Sequence, residues 1–299
     1  MSAWDRVERL IGADNLKRLG EAHVAVIGVG SGGGFVALSL AMSGVGHFTL
    51  VDMEALEPQN LVRHVADARY LGVNKAEAVA DLIRQRNPSA TIRVIADDVT
   101  GHPDALDGVD LMIVGVDGEN TKYKLNELAL ARNIPAVYAG VYARGEGGDV
   151  CVIRPYDGPC YACWAAELRE GINTGPVEEI DYGQLADDKG ALTAEPGLWV
   201  HVARVAGAQT DIALTLLMPE SRPALPANTL VIANAALEII EGQTTPPHGA
   251  LWVNIARDPE CLVCGDQLHD VAAISLDDLA AAGNVAIEGD DTARRLQDD

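Results

Sequence analysis

Two sets of residues have the types and spacing to do chemistry. The first is a glycine-rich turn (Gly28, Gly30, Gly32, Gly33 and Gly34, with Ser31 among them), followed by Asp52, Lys75 and Asp117. Glycines let a backbone turn sharply and approach a ligand with no Cβ in the way, and a helix that follows such a turn aims free N–H groups at an anion. Asp52 closes the next apolar run, where a carboxylate can accept hydrogen bonds from ribose hydroxyls. Strand, turn, helix and acid in this order point to a nucleotide, against the plainer alternative of glycines that only pack a helix on a sheet. NAD and ATP both remain open on these residues alone.

Lys75 falls in the first turn of a helix expected from residue 74 to 86, where the dipole disfavours a cation. A phosphate bound there would account for it better than an ordinary surface lysine. Asp117 lies just past an apolar run at 111–114, at the edge where ligands of open α/β sheets bind. Its plainer role would be the N-cap of the next helix, expected from about residue 120.

The second set is two CxxC pairs, Cys160 with Cys163 and Cys261 with Cys264. Each pair suits two thiolates on one tetrahedral Zn²⁺, and two pairs close a structural site with no open position for catalysis. Cys151 sits in an apolar strand pattern and reads as a buried small hydrophobe rather than a nucleophile.

The elements that must position these groups are legible from periodicity. Residues 24–27, 48–51, 91–96, 111–114 and 136–139 read as strands, those at 91–96 and 111–114 as buried, with a strand pair around 148–153 and a strand at 250–255. Helices are expected to residue 42 after the turn, and over 74–86, 198–217 and 228–240. Residues 1–22 form an amphipathic lead-in with Trp4, Val7, Leu10, Ile11, Leu16 and Leu19 on its apolar face. The stretch after Asp52 is too polar and proline-broken for helix before Asn60. Residues 169–196 lack periodicity and read as a loop across the front of the molecule, and the tail holds one weak helix pattern at 276–282. The alternation gives an α/β class: a Rossmann-like sheet with helices on both faces, then a zinc-stapled mixed-sheet half.

Composition narrows the partners. A chain of 299 residues, 48% hydrophobic with net charge −22, has ample core and gains little from nucleic-acid phosphates or an anionic membrane. Arg84, Arg86 and Arg93 are the nearest thing to a basic patch and read as a solvated helix end. Charges at Asp5, Arg6, Glu8 and Arg9 interrupt any N-terminal apolar segment, which argues against a signal peptide; no apolar run reaches membrane-spanning length, so a cytoplasmic protein is expected.

In order and without a large insertion, residues 6–265 resemble the ThiF/MoeB/HesA family, which activates ubiquitin-like and sulfur-carrier proteins. The resemblance rests on GVGSGG (28–33), LVD (50–52), NLVRH (60–64) where the family has NLxRQ, Lys75, Asp117 and both cysteine pairs. It implies a single adenylation domain over 1–265, with a nucleotide-binding half (23–155), a zinc and substrate half (156–265) carrying a crossover loop (169–196), and an acidic, partly disordered tail (266–299). It further implies that ATP is attacked at its α-phosphate by the C-terminal glycine carboxylate of a small partner ending in Gly-Gly. Asp52 would hold the ribose; Asn60, Arg63 and Lys75 the phosphates; Asp117 a Mg²⁺; Gln59 and the turn residues Gly28, Gly30, Ser31 and Gly33 would also bind the cofactor. The enzyme would be a homodimer in which Arg9, or Arg6 in its place, reaches the partner subunit's ATP.

Three positions depart from the family pattern: Ser31 for a glycine, His64 for glutamine and Gly118 where asparagine often follows the acid. More consequential is Ala194, in GALTAEPG (190–197), at the place where relatives carry the crossover-loop cysteine. With no cysteine between Cys163 and Cys261, a thioester on this loop is not expected. Other readings are adenylation of a peptide C-terminus or of a tRNA threonylcarbamoyl group, an NAD-dependent oxidoreductase, and an inactive scaffold subunit. The oxidoreductase gives no role to Arg63, Lys75 or the cysteine pairs, and the scaffold would be expected to lack Arg63, Lys75 or Asp117.

Overall fold

The apolar run ahead of the glycine turn forms β1 (His23–Ile27), buried at every residue after His23, and the rest of the sheet is assembled around it. In the computed structural model, which describes residues 3–171, 197–240 and 242–266, β1 follows two short helices, α1 (Asp5–Ile11) and α2 (Ala13–Glu21). Then come α3 (Ser31–Ser43), β2 (His47–Val51), α4 (Lys75–Arg86), β3 (Thr91–Ile95), β4 (Leu111–Val114) and α5 (Glu119–Arg132). The second half holds β5 (Ala136–Val141), β6 (Gly147–Ile153), α6 (Tyr161–Gly171), α7 (Trp199–Leu217), β7 (Thr229–Ala233), β8 (Leu237–Ile240), β9 (Gln243–Thr245) and β10 (Ala250–Val253). The chain divides into two compact units, Met1–Arg257 and Asp258–Asp299.

Among the described residues one eight-stranded sheet runs in the order β10-β7-β6-β5-β4-β1-β2-β3. The five strands from β5 to β3 are parallel; β6, β7 and β10 continue the same sheet antiparallel. Helices cover both faces. Val36, Ala37 and Leu40 of α3, Val79 and Ile83 of α4 and Val205 and Ala213 of α7 pack with Val24, Val26 and Leu50 on one face. On the other, Leu125 and Ala129 of α5 and Tyr161 and Trp164 of α6 pack with Ala25, Ile27, Met112 and Tyr138. Each large side chain fully buried here, Phe48 or Leu40 for example, contributes about 1.5–3 kcal/mol.

Local signals set the helix ends that matter for the site. The Asn74 side chain accepts from the N–H groups of Ala76 (2.9 Å) and Glu77 (3.3 Å), which starts α4 one residue later, at Lys75. Gly44, in the left-handed region, ends α3 and turns the chain into β2.

Several expectations need correction. Residues 228–240 are not a helix. They form β7 and β8, because β7 supplies the partner that the free edge of β6 requires, from Cys151 opposite Thr229 to Gly147 opposite Ala233. Residues 148–153 are one strand, not a pair. The strand at 91–96 is the outer edge of the sheet rather than buried, with Thr91 and Arg93 exposed. A 3₁₀ turn begins at Pro58, ahead of Asn60. The lead-in breaks at Gly12 into two helices, and Leu10 is exposed rather than packed. Helix α6 runs through Gly171, into the segment expected to be loop; 172–196, with Ala194, and the tail beyond residue 266 lie outside the described residues. No helix among the described residues is long and apolar enough to cross a membrane.

Candidate active site

Strands β1 and β4 lie side by side and parallel, and their connections leave in opposite directions, to β2 and to β5, so a crevice opens at their carboxyl ends. The glycine turn fills the floor of that crevice. Gly28 adopts φ 82°, and a Cβ there would stand 2.7 Å from the Gly115 carbonyl carbon at the end of β4. A Cβ on Gly33 would drive into the Gly28 carbonyl oxygen. Gly30 is different: among the described residues nothing lies within 4 Å of where its Cβ would be, its chain neighbours aside. Ser31 takes helical backbone as the first residue of α3, which has neither a side-chain cap nor an acid in its first turn. Its leading N–H groups therefore face the crevice without a side-chain acceptor, the arrangement that binds anions.

A hydrogen-bonded ring ties this turn to the predicted ligands. Asp52 accepts from the Val29 N–H (2.7 Å) and from the Glu54 N–H (2.9 Å), which leaves each carboxylate oxygen a further lone pair. Asn74 donates to the carbonyls of Asp52 (2.8 Å) and Glu54 (3.2 Å). The Lys75 N–H bonds the Glu54 carbonyl (2.9 Å), and its buried ammonium pairs with the Glu54 carboxylate, which is largely exposed. His64 closes the ring: Nε2 bonds the Val29 carbonyl (2.9 Å) and Nδ1 accepts from the Ala66 N–H (3.0 Å). Burial pushes the His64 imidazole below its ordinary pKa, and the Lys75 charge adds to this.

The 3₁₀ turn Pro58–Arg63 brings Arg63 to within one residue of His64 and so of the loop. Gln59 donates to the Glu57 carboxylate, and Asn60 Oδ1 accepts from the Glu57 N–H (2.9 Å) in a capping box, so both side chains hold the turn that carries Arg63. Asp117 is exposed, two residues past the contact of Gly115 with Gly28. The N-cap of α5 is Gly118, with no side-chain cap bond, so the plainer reading of Asp117 does not hold. Gly28, Gly30, Ser31, Gly33, Asp52, Asn60, Arg63, Lys75 and Asp117 thus share one edge. Arg9 does not join them within its own chain: it pairs with Asp5 on α1 (3.3 Å) and is 71% exposed. Residues of the lead-in, Trp4 and Leu16, line a cavity with Gly44 and Gly46 at the opposite, amino ends of the strands.

Sequence reasoning missed two site-edge residues, His64 as a loop contact and Asp149. The one cue for Asp149 was an acid placed directly ahead of an apolar strand run. Its side chain shares a sheet face with Gly140, whose missing Cβ would stand 3.6 Å from Oδ1, and it accepts a hydrogen bond from the Tyr142 hydroxyl. Burial pushes its carboxyl up to about 6, against the opposing pull of Tyr142 and Lys122. A carboxyl raised in the folded state costs stability as pH climbs from its unfolded value through 6. Asp149→Asn is therefore expected to stabilise the protein by roughly 2–3 kcal/mol at pH 7.5 and by little at pH 4. Denaturant midpoints at the two pH values check this; an equal change at both would contradict it.

The cysteine pairs carry their own geometry. Cys160 and Cys163, ahead of and within the first turn of α6, are buried with their sulfurs 3.8 Å apart. A tetrahedral zinc with Zn–S of ~2.3 Å separates two of its sulfurs by ~3.8 Å, so the pair fits half such a site. In the second unit the turn around Cys261 and Cys264 is held by Gly265 N–H to Cys261 O (2.8 Å) and Asp266 N–H to Pro259 O (2.8 Å). The Val263 N–H points at the Cys261 sulfur (3.4 Å), which stabilises a thiolate. Cys151 is wholly buried and its thiol is pushed well up by burial, as suits an inert core residue.

Known proteins resemble this chain over most of its length. The SAMP-activating enzyme E1 of Haloferax volcanii is 28% identical over 279 residues, covering 89% of this chain and 92% of its own. The tRNA threonylcarbamoyladenosine dehydratase of Escherichia coli is 31% identical over 198 residues, 62% of this chain and 68% of its own. The crystal structure of E. coli MccB with ATP shares the fold, with TM-score 0.66, 21% identity, and coverage of 89% of this chain and 75% of that one. The family model for ThiF matches residues 5–256, so the chain belongs to the ThiF family and is an adenylyltransferase of the ThiF/MoeB type.

Proposed function

We propose that this enzyme uses ATP to activate the C-terminal glycine carboxylate of a small ubiquitin-like or sulfur-carrier protein ending in Gly-Gly. What carries the reading is Lys75: a buried cation in the first turn of α4, where a helix disfavours it, tied through Glu54 and Asp52 to the glycine turn. The near full-length relative named as a SAMP-activating enzyme supports a protein carrier as substrate.

In the proposed reaction a carboxylate oxygen of the carrier attacks the α-phosphorus. The bond from that phosphorus to the bridging oxygen breaks, and pyrophosphate leaves with the electron pair. An in-line displacement between anions needs charge neutralised and atoms aligned. The free N–H groups of α3 and Ser31 cradle phosphate; Asp52 takes the ribose hydroxyls; Asn60, Arg63 and Lys75, with Gln59 bracing the turn, hold the triphosphate. Asp117, an exposed carboxylate, would hold a Mg²⁺, which when bound would neutralise phosphate charge. Arg9 is assigned to the neighbouring site of a homodimer.

The four buried thiols of Cys160, Cys163, Cys261 and Cys264 are assigned to one structural Zn²⁺, on the chemistry of the donor set. With Ala194 on the crossover loop, the enzyme releases or hands on the acyl-adenylate without a thioester of its own.

The test is pyrophosphate exchange into ATP. Exchange is expected to require Mg²⁺ and the carrier, and to fall about 10²–10³-fold in Asp117→Ala. Exchange that survives that substitution would refute the site. A second reading is adenylation of a tRNA threonylcarbamoyl group, favoured by the relative named as a dehydratase and disfavoured by the charge of −22. Exchange driven by tRNA and not by the carrier would select it.

A further inference from the structure

We infer that His64 is a positioning residue for nucleotide binding: with Asp52 it clamps Val29 of the glycine turn from both sides, an inference that rests on the nucleotide reading above. The clamp is explicit in the bonds. Val29 gives its N–H to Asp52 Oδ2 (2.7 Å), and its carbonyl accepts from His64 Nε2 (2.9 Å). Val29 stands between Gly28, pressed on Gly115, and Gly30, beside which the described residues leave open space. Freeing either polar group of Val29 would let the turn rotate about its glycines and take the N–H groups of Gly30 and Ser31 out of convergence. Gly34 leaves room for the ring, since its missing Cβ would stand 3.4 Å from Nε2.

The bonds also set the charge state that works. Nδ1 accepts from the Ala66 N–H, so the proton of the neutral ring is on Nε2, where it reaches Val29. A second proton on Nδ1 would oppose the Ala66 N–H. The charged groups facing the ring are Lys75 from α4, which opposes protonation, and Asp52 from the end of β2, which favours it less. Burial dominates over the Val29 carbonyl, whose bond favours the charged ring, so the ring is neutral at pH 7 and gains its charge only below its ordinary value of 6.5. Below that a proton on Nδ1 expels the Ala66 N–H that fixes the ring's orientation, and the hold on Val29 loosens.

The experiment measures ATP affinity of the full chain by calorimetry at pH 7.5 and 5.5, for the wild type, His64→Ala and His64→Gln. Glutamine offers an N–H to the Val29 carbonyl and does not titrate. At pH 7.5 His64→Ala is expected to lose about tenfold or more in affinity, and His64→Gln to stay within about threefold of wild type. On acidification the ratio of His64→Gln to wild-type affinity should rise, a comparison in which the protonation of ATP itself cancels. A purely structural histidine would alter the melting temperature of both variants and leave that ratio flat. Full affinity in His64→Ala, or a pH-independent ratio, overturns the inference. A wild type that binds no ATP at pH 7.5 overturns the nucleotide reading, and the clamp with it.

Discussion

Gly33→Ala is expected to abolish ATP binding and to cost about 3 kcal/mol or more of stability, whereas Gly30→Ala abolishes binding and leaves stability within about 0.5 kcal/mol. The two glycines are three residues apart in one turn, and their surroundings differ. At Gly33 the added methyl meets the Gly28 carbonyl oxygen, which is backbone and pinned by the Gly28 N–H bond to Val51 O (2.9 Å). Relief would require α3 to lift off β1 and β4, uncovering Val36, Ala37 and Leu40. At Gly30 the methyl meets no other atom of the described residues and occupies the space assigned to a phosphate. Chemical denaturation and calorimetric titration of both variants separate packing from ligand contact. A Gly30→Ala protein that bound ATP normally would remove the phosphate from this turn.

The second large effect concerns metal. The purified protein is expected to carry about one zinc per chain, and Cys163→Ser to lose it together with several kcal/mol of stability, since metal bound only in the folded state adds its binding energy to folding. A strong chelator should lower the melting temperature of the wild type and leave that of Cys163→Ser unchanged. Cys151→Ala, which removes a thiol from the core of β6, should retain the full zinc content. Metal analysis after gel filtration reads all three. Zinc retained in Cys163→Ser, or lost in Cys151→Ala, would reassign the ligands.

How far these residues could be foreseen depended on how local the physics was. Strands β1, β2 and β4 are short apolar runs bounded by turn residues, and α4 announces itself with Asn74 as its cap; nothing elsewhere overrides those signals. The glycine turn, Asp52, Lys75 and Asp117 drew notice as residue types unusual at their places, and the turn, Asp52 and Lys75 prove joined through one hydrogen-bonded set. Residues 228–240 misled because an apolar run of that length suits a helix or two strands equally. What decided it was remote: the open edge of β6, and Asn234, whose side chain bonds the Gly145 carbonyl (3.0 Å) and receives Arg204 (2.8 Å). His64 read as a mere departure from a pattern, since its partner Val29 lies 35 positions earlier. Asp149 stayed hidden because the groups that act on its carboxyl, Tyr142 and the α5 charges Lys122 and Glu119, lie outside its own strand.

The order of strands bears on how the chain comes into being. β1, the earliest in sequence of the described strands, has β2 on one side and β4 on the other, and β4 closes only at Val114. Parallel neighbours distant in sequence pair slowly, so the buried β1 waits for its β4 cover until residues 111–114 are made. That interval is when a nascent chain is prone to aggregate. Expression at lower temperature, or with added holdase chaperone, should therefore raise soluble yield without any change in the stability of the finished protein.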